Sequence, residues 1–359
     1  MLGHLDPWCE TLRWSRPPTS QLRRRATQVS PHPRWMHRQP GPAIETPAPI
    51  ELRGKTHAVA PVPPTSTHDG SVGRVSSQPA ILSPVAPAAR YLVLDVPPDV
   101  QAKAVIASLR TLPIDDGIVV GLGEPLVRAL GVELAGLRTF PALAGPGCSI
   151  PSTQGALLLH ARGDDHGETL RTMQKALAAL GGGLRVIEDV TAFRHLEGRD
   201  LTGYEDGTEN PAGDEAIAAA LAEDGSSFVA VQRWIHDLGG FEKLSQAQRD
   251  HVFGRSRETN DELDDAPPSA HVKRSAQEDF EPAAFMVRRS MPYGTVVEHG
   301  LYFVAYARSL DPFEQVLRRM IGRDDGIVDG LFQFSRPVSG GYYWCPPIKD
   351  AHLDLGAVR

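Results

Sequence analysis

Three polar side chains in this sequence have the chemistry to act on a ligand. Asp206 lies in 201–211, "LTGYEDGTENP", with Gly203 before it and Gly207 directly after. Either its carboxylate closes an Asx-turn on local backbone N–H groups, or it is a general acid/base held against a ligand by glycine-permitted backbone. His271 follows two prolines and two small residues in "PPSAHVKR". It is either an ordinary polar histidine or a ligand whose tautomer a second partner must fix. Arg288 lies in "FMVRRSM" beside Arg289. Alternation along a strand sends the two to opposite faces, so one of them points inward. A buried guanidinium needs an acceptor or an anionic ligand; on a solvated edge it needs neither.

Other stretches carry less. Gly239-Gly240 in "HDLGGFEKL" would suit a helix start facing an anion, but no Walker spacing accompanies it. Glu262, Asp264 and Asp265 would either hold a divalent cation or form a solvated loop. Trp234, Trp344, Tyr342 and Tyr343 are either packing aromatics or relays for electrons.

Two runs of elements would position these residues. The first has strands at 90–96, 117–122, 155–161 and 184–190, with helices at 99–112, near 124–130 and at 165–180. The second has strands at 228–236, 285–291, 301–307 and 341–345, with helices at 242–254 and 311–322. Asp311 is the expected N-cap and Gly322 the expected C-cap of the last helix. Both orders are β-α-β-β-α-β, so the fold class is α+β: duplicated ferredoxin-like halves, each an antiparallel sheet with helices on one face. The expected halves are 78–198 and 199–359. The second contains two long insertions, 192–227 and 255–284, which hold Asp206 and His271.

The preceding segment differs. Residues 1–76 contain ten Lys+Arg against five Asp+Glu, many prolines and no apolar periodicity. Residues 1–77 are therefore expected to be a disordered extension without a specific role. Arg23-Arg24-Arg25 has no apolar run after it, so an export signal is not expected. The whole chain has 359 residues and a net charge of -7, which argues against a nucleic-acid partner. No apolar run is long enough for a membrane helix. Cys9, Cys148 and Cys345 are far apart, which argues against a disulfide framework or a structural zinc site and favours a reducing, cytoplasmic setting.

Taken together, "TGYEDGTENP", "SAHVKR" and "MVRRSMPYG" resemble, in order and spacing, the motifs of the dye-decolorizing peroxidases, a haem enzyme family. "QPAILSP", "PSTQG" and "ELDDAPPSAHV" add to the likeness, which runs from about residue 78 to the end and is nearest to the bacterial members with short loops. The family's fold of two ferredoxin-like halves agrees with the element order. The resemblance implies haem b in the C-terminal half, with His271 as the proximal ligand of its iron. It implies Asp206 on the distal side, moving a proton between the two oxygens of hydrogen peroxide, and Arg288 beside it, stabilising negative charge. Ser290, where the family has Asn or Ser, would orient peroxide or water, on the face that it shares with Arg288 if the strand is regular. Gly207 completes the distal motif, and Arg255 is the expected contact of a haem propionate. The family often supports its ligand histidine with a carboxylate before a Phe-Ser pair; this chain has Gln333 there, so the carboxylate is expected to be missing.

The implied reaction is reduction of hydrogen peroxide with one-electron oxidation of organic donors such as dyes and phenolics, by a homo-oligomer. Because aspartate has a lower reference pKa than histidine, an acidic optimum is expected. Shell-packaged members carry a C-terminal tail; this chain stops soon after its last expected strand, so no such tail is expected. Two other readings share His271: a haem storage, transfer or sensing protein, and a porphyrin-modifying enzyme of the deferrochelatase kind.

Overall fold

The computed structural model describes residues 76–359. Apart from Ser76 and Ser77, the expected disordered extension lies outside them, as do Cys9 and Arg23-Arg24-Arg25.

The first half runs β1 (Ala88–Asp95), α1 (Ala102–Leu109), β2 (Ile118–Gly123), β3 (Leu157–Gly163), α2 (His166–Ala179) and β4 (Arg185–Phe193). Asp165 starts α2 by accepting hydrogen bonds from the N–H groups of Gly167 and Glu168. The second half runs β5 (Ser227–His236), α3 (Gln246–Phe253), α4 (His271–Ser275), β6 (Met291–Gly294), β7 (His299–Ala307), α5 (Asp311–Met320) and β8 (Gly341–Cys345).

All the strand pairings are antiparallel. The first sheet has the order β2-β3-β1-β4 and the second β8-β5-β7-β6. These are the same ferredoxin-like order, read from opposite ends. β2 pairs with β8 through Leu122↔Trp344, and β4 meets β6 at Ala192↔Tyr293. The eight strands thus close into a ring, which covers sheet edges that would otherwise lie open.

Closure explains why the strands read as apolar runs such as "YLVL" and "LLL": both faces are buried. Tyr91, Val93, Leu158, Val231, Tyr302, Val304 and Tyr343 fill the interior. Tyr91 stacks on Tyr302 with ring centroids 4.1 Å apart. On the outer face of the first half, Leu92, Leu94, Val120, Leu157 and Leu159 pack under α1 and α2.

The structure departs from the sequence expectations in the second half. The strand expected over 285–291 is two pieces, Val287–Arg288 and Met291–Gly294. The helix expected over 242–254 is also two pieces, Leu238–Glu242 and α3, because Ser245 forms a capping box with Gln248 and starts a new helix. Asp311 is the first residue of α5 rather than its cap, and its carboxylate meets Arg138 at 2.9 Å. Gly322, with φ of 66°, lies one residue past the C-cap Ile321. Among the described residues, no helix is long and apolar enough to cross a membrane.

Candidate active site

In the second half, the outer face of the sheet is not filled. Alternate residues of β5, namely Ala230, Gln232, Trp234 and His236, face a cavity. Leu301 and Phe303 of β7 face it too. α5 covers it with Phe313, Val316, Leu317 and Met320, the i, i+3, i+4, i+7 stripe of an amphipathic helix. α4 contributes His271 and Ser275, one turn apart. Asp206, His271, Ser275, Gln277 and Arg288 also line a second, polar cleft that opens outward past Arg255 and Lys273. The two spaces are continuous: an apolar inner lobe and a charged outer one.

Asp206 owes its place to the loop around it. Tyr204 stacks on Phe253 with centroids 4.0 Å apart and donates its O–H to Asp250. Gly203 has φ of 87°, and a Cβ there would lie 2.5 Å from the Arg257 guanidinium. Gly207 has φ of 78°, and a Cβ there would lie 2.7 Å from Asn210 Nδ2. Both glycines are thus required by their left-handed backbone. Asp206 keeps solvent-accessible surface in the cavity wall, while the protein packed around it is dense enough to disfavour its charged form. Burial pushes its carboxyl above the ordinary aspartate value; the Arg288 charge opposes this, and Asp200 adds to it.

Arg288 reaches the same two lobes, and its Nε is buried without a partner. Arg289 turns away and donates to the carbonyls of Leu82, Ser83 and Arg288. That settles which of the two arginines faces the cavity. Asn210 holds the Arg288 backbone from both sides: Nδ2 donates to its carbonyl at 3.0 Å, and Oδ1 accepts its N–H at 2.8 Å. The loop of Asp206 and the strand of Arg288 are therefore one rigid unit. Sequence reasoning missed Asn210, whose Asn-Pro step read only as a turn.

His271 has a carboxylate partner. Its Nδ1 lies 2.7 Å from Oδ2 of Asp329, which is buried and accepts the Leu331 N–H at its other oxygen. An ionised Asp329 makes Nδ1 the protonated nitrogen and leaves the Nε2 lone pair free. Nε2 has no hydrogen-bond partner among the described residues. The expectation of a missing carboxylate is corrected: the partner stands four residues before Gln333, just ahead of the 3₁₀ turn Gly330–Gln333. The Asp-Gly pair at 329–330 was the available signal.

The remaining candidates are placed as follows. Arg255 lines the polar lobe, where it pairs with Glu209 at 2.6 Å and donates to the Asn260 carbonyl. Ser290 falls in the break between the two strand pieces, so alternation does not carry it to the face of Arg288 in the main cavity. It lines a small side cavity shared with Asp206, Gly207 and Arg288, and its Oγ accepts the Val304 N–H. Trp234, Tyr342, Tyr343 and Trp344 are all buried, as packing aromatics are; Trp234 lines the cavity. Glu262 lies 3.7 Å from Arg255, and Asp265 pairs with His251. Among the described residues, no three ligating side chains gather to hold a bare metal ion. Cys148 and Cys345 are free thiols.

Known proteins resemble this chain in sequence and fold. Residues 197–350 match the family description "Dyp-type peroxidase, C-terminal". A dye-decolorizing peroxidase of Mycobacterium tuberculosis is 34% identical over 303 residues, covering 77% of this chain and 90% of the relative. The structure of a dye-decolorizing protein from V. cholerae superposes with a TM-score of 0.69 at 32% identity, over 75% of this chain and 97% of that one. A Rhodococcus jostii RHA1 DypB variant solved in complex with heme gives 0.69 at 30% identity, over 75% and 96%. With identity of this level spanning both halves of the ring, the chain belongs to the dye-decolorizing peroxidase family.

Proposed function

We propose that this protein is a haem peroxidase that reduces hydrogen peroxide at a distal Asp206–Arg288 pair, with His271 as the axial ligand. The observation that carries the reading is the shared cavity: one imidazole with a free Nε2, one carboxylate and one guanidinium all line it.

The residues fit haem b. A single imidazole with a free nitrogen suits a metal that arrives already held by a macrocycle. The apolar inner lobe suits a flat hydrocarbon ring, while Arg255 and Lys273 in the outer lobe suit its carboxylates. The orphaned Nε of Arg288 awaits an acceptor. Haem, when bound, supplies a redox-active iron that passes two electrons to peroxide and recovers them singly from donors.

The chain's own residues do the rest. Asp206 takes the proton from one oxygen of hydrogen peroxide and returns it to the other, which leaves as water. Its raised proton affinity suits it to do both. Arg288 supplies a fixed positive charge where negative charge grows. Asp329 keeps the His271 ring oriented and its Nε2 basic. Ser290 orients peroxide or water from the side cavity. Organic donors such as dyes and phenolics give up electrons one at a time. We infer further that 78–198 and 199–359 are the two domain halves, and that the enzyme works in the cytoplasm as a homo-oligomer.

An absorption spectrum tests the core of this. The purified protein should show a Soret band, lost or displaced in His271→Ala. If haem binds but Asp206→Asn reacts with peroxide at the wild-type rate, the acid/base role of Asp206 fails.

A further inference from the structure

Asp206 is not the only carboxylate in its loop. Asp200, six residues earlier, is buried and forms the root of the same turn. Its N–H donates to the Tyr204 carbonyl and its carbonyl accepts the Gly203 N–H, both at 2.8 Å. Oδ2 accepts the Thr202 N–H and hydroxyl at 3.1 and 2.8 Å. Oδ1 faces His236 Nε2 at 3.3 Å. His236 ends β5 with its ring in the cavity wall, and its Nδ1 lies 2.7 Å from Ser335 Oγ. Both ring nitrogens are therefore occupied by protein groups, which leaves the ring no free nitrogen for a ligand.

We propose that His236 and Asp200 are a positioning pair for peroxide activation, which hold the Asp206 loop in shape and keep a carboxylate at its root. The pair spans the sheet and the loop, so it ties the catalytic carboxyl to β5 as Asn210 ties it to Arg288. Burial alone would push Asp200 toward its neutral form; the His236 hydrogen bond and charge and the Thr202 donors hold it below the ordinary aspartate value, hence ionised. The charged groups facing Asp206 are then Arg288 from its strand and Asp200 from its own loop, with the His271 ring of α4 across the cavity. Arg288 favours the ionised carboxylate, and Asp200 favours the protonated one. A proton carrier needs that balance: it must take a proton from peroxide and also let it go. Burial is the larger influence against Arg288, and Asp200 adds to it.

The inference rests on the reading of Asp206 as the proton carrier, so the test reads its protonation separately from turnover. Difference infrared spectroscopy on the haem-loaded protein, wild type minus Asp206→Asn, isolates the Asp206 carboxyl band and its pH midpoint. Asp200→Asn keeps an acceptor for Thr202 and removes the charge. It should leave the Soret band in place and lower the midpoint by about one pH unit, the size of shift that a neighbouring charge imposes. The acid limb of the peroxide rate constant should move down by the same amount. His236→Leu should lower that rate constant and speed hydrogen exchange at the Thr202 and Gly203 amides, and His236→Gln, which retains a donor, should restore both. An unmoved midpoint in Asp200→Asn overturns the proposal, as does a His236→Leu protein with wild-type peroxide kinetics. A midpoint that shifts without the rate profile overturns the proton-carrier role of Asp206, and the positioning role falls with it.

Discussion

The two halves of the ring share a strand order and differ in what lies on their outer faces. In the first half, Leu92, Leu94, Val120, Leu157 and Leu159 fill the space under α1 and α2. In the second half, the matching space is a cavity bounded by Ala230, Gln232, Trp234 and His236 on β5 and by the apolar stripe of α5. The connections differ in the same sense. Between β1 and β2 the chain needs a single short helix, whereas between β5 and β6 it runs through residues 237–290 and delivers α3, α4 and His271. One half is thus a packed scaffold. The other keeps the topology and gives up packing for a site, and the closed ring lets the first stabilise the second.

Several substitutions would break or sharpen this contrast. The largest effect is expected from Asp206→Asn, which should cut the peroxide rate constant by about 10²–10⁴-fold, as loss of an acid/base group does. The same change should not weaken the fold at neutral pH. A carboxyl whose folded pKa is raised stabilises the native state while protonated, below its unfolded value, and that contribution is lost as pH rises through the folded value. At pH 7 the ionised Asp206 is therefore a net cost that Asn removes, so a drop in melting temperature would contradict its placement.

Next is the packed half. Leu159→Ala should destabilise the protein by ~2–5 kcal/mol in denaturant titration, with or without cofactor, since it opens a void in a filled core. Leu301→Ala, at a wall that already borders empty space, should cost the cofactor-free protein less and show mainly as weaker haem retention. Equal losses would mean that the halves are packed alike.

Asp329→Asn should weaken haem affinity or activity by ~10–100-fold, as the loss of a ligand's hydrogen-bond partner usually does. The smallest effect is on pH. With Asp206 as the proposed base, the peroxide rate constant should fall on acidification through a midpoint above the ordinary aspartate value of 3.8. Burial thus moves the working range upward from where a solvated aspartate would put it. A rate constant level from pH 4 to 8 would exclude Asp206 as the base.

Much of this was legible in residues alone, because it depends on local pattern. Apolar runs, caps and the doubled β-α-β-β-α-β order come from side-chain periodicity, which neighbours in the chain determine. The glycines on either side of Asp206, and a pair of adjacent arginines of which one turns inward, were visible for the same reason. Other features were not. The closing pairs Leu122↔Trp344 and Ala192↔Tyr293 join residues far apart in sequence, and no local pattern encodes them. The break at Ser290 was hidden because 285–291 satisfies strand propensity throughout.

The partners of the site show the same division. Sequence singled out His271, Asp206 and Arg288 by type and setting. Only the fold placed Asp329 on His271, Asn210 on Arg288, and His236 on Asp200, across 58, 78 and 36 residues of chain. A hydrogen bond requires two groups to meet within about 3 Å, and over such spans the path of the whole chain decides whether they do. The chemistry of each group is its own, fixed by residue type; its proton affinity and orientation belong to the folded ring.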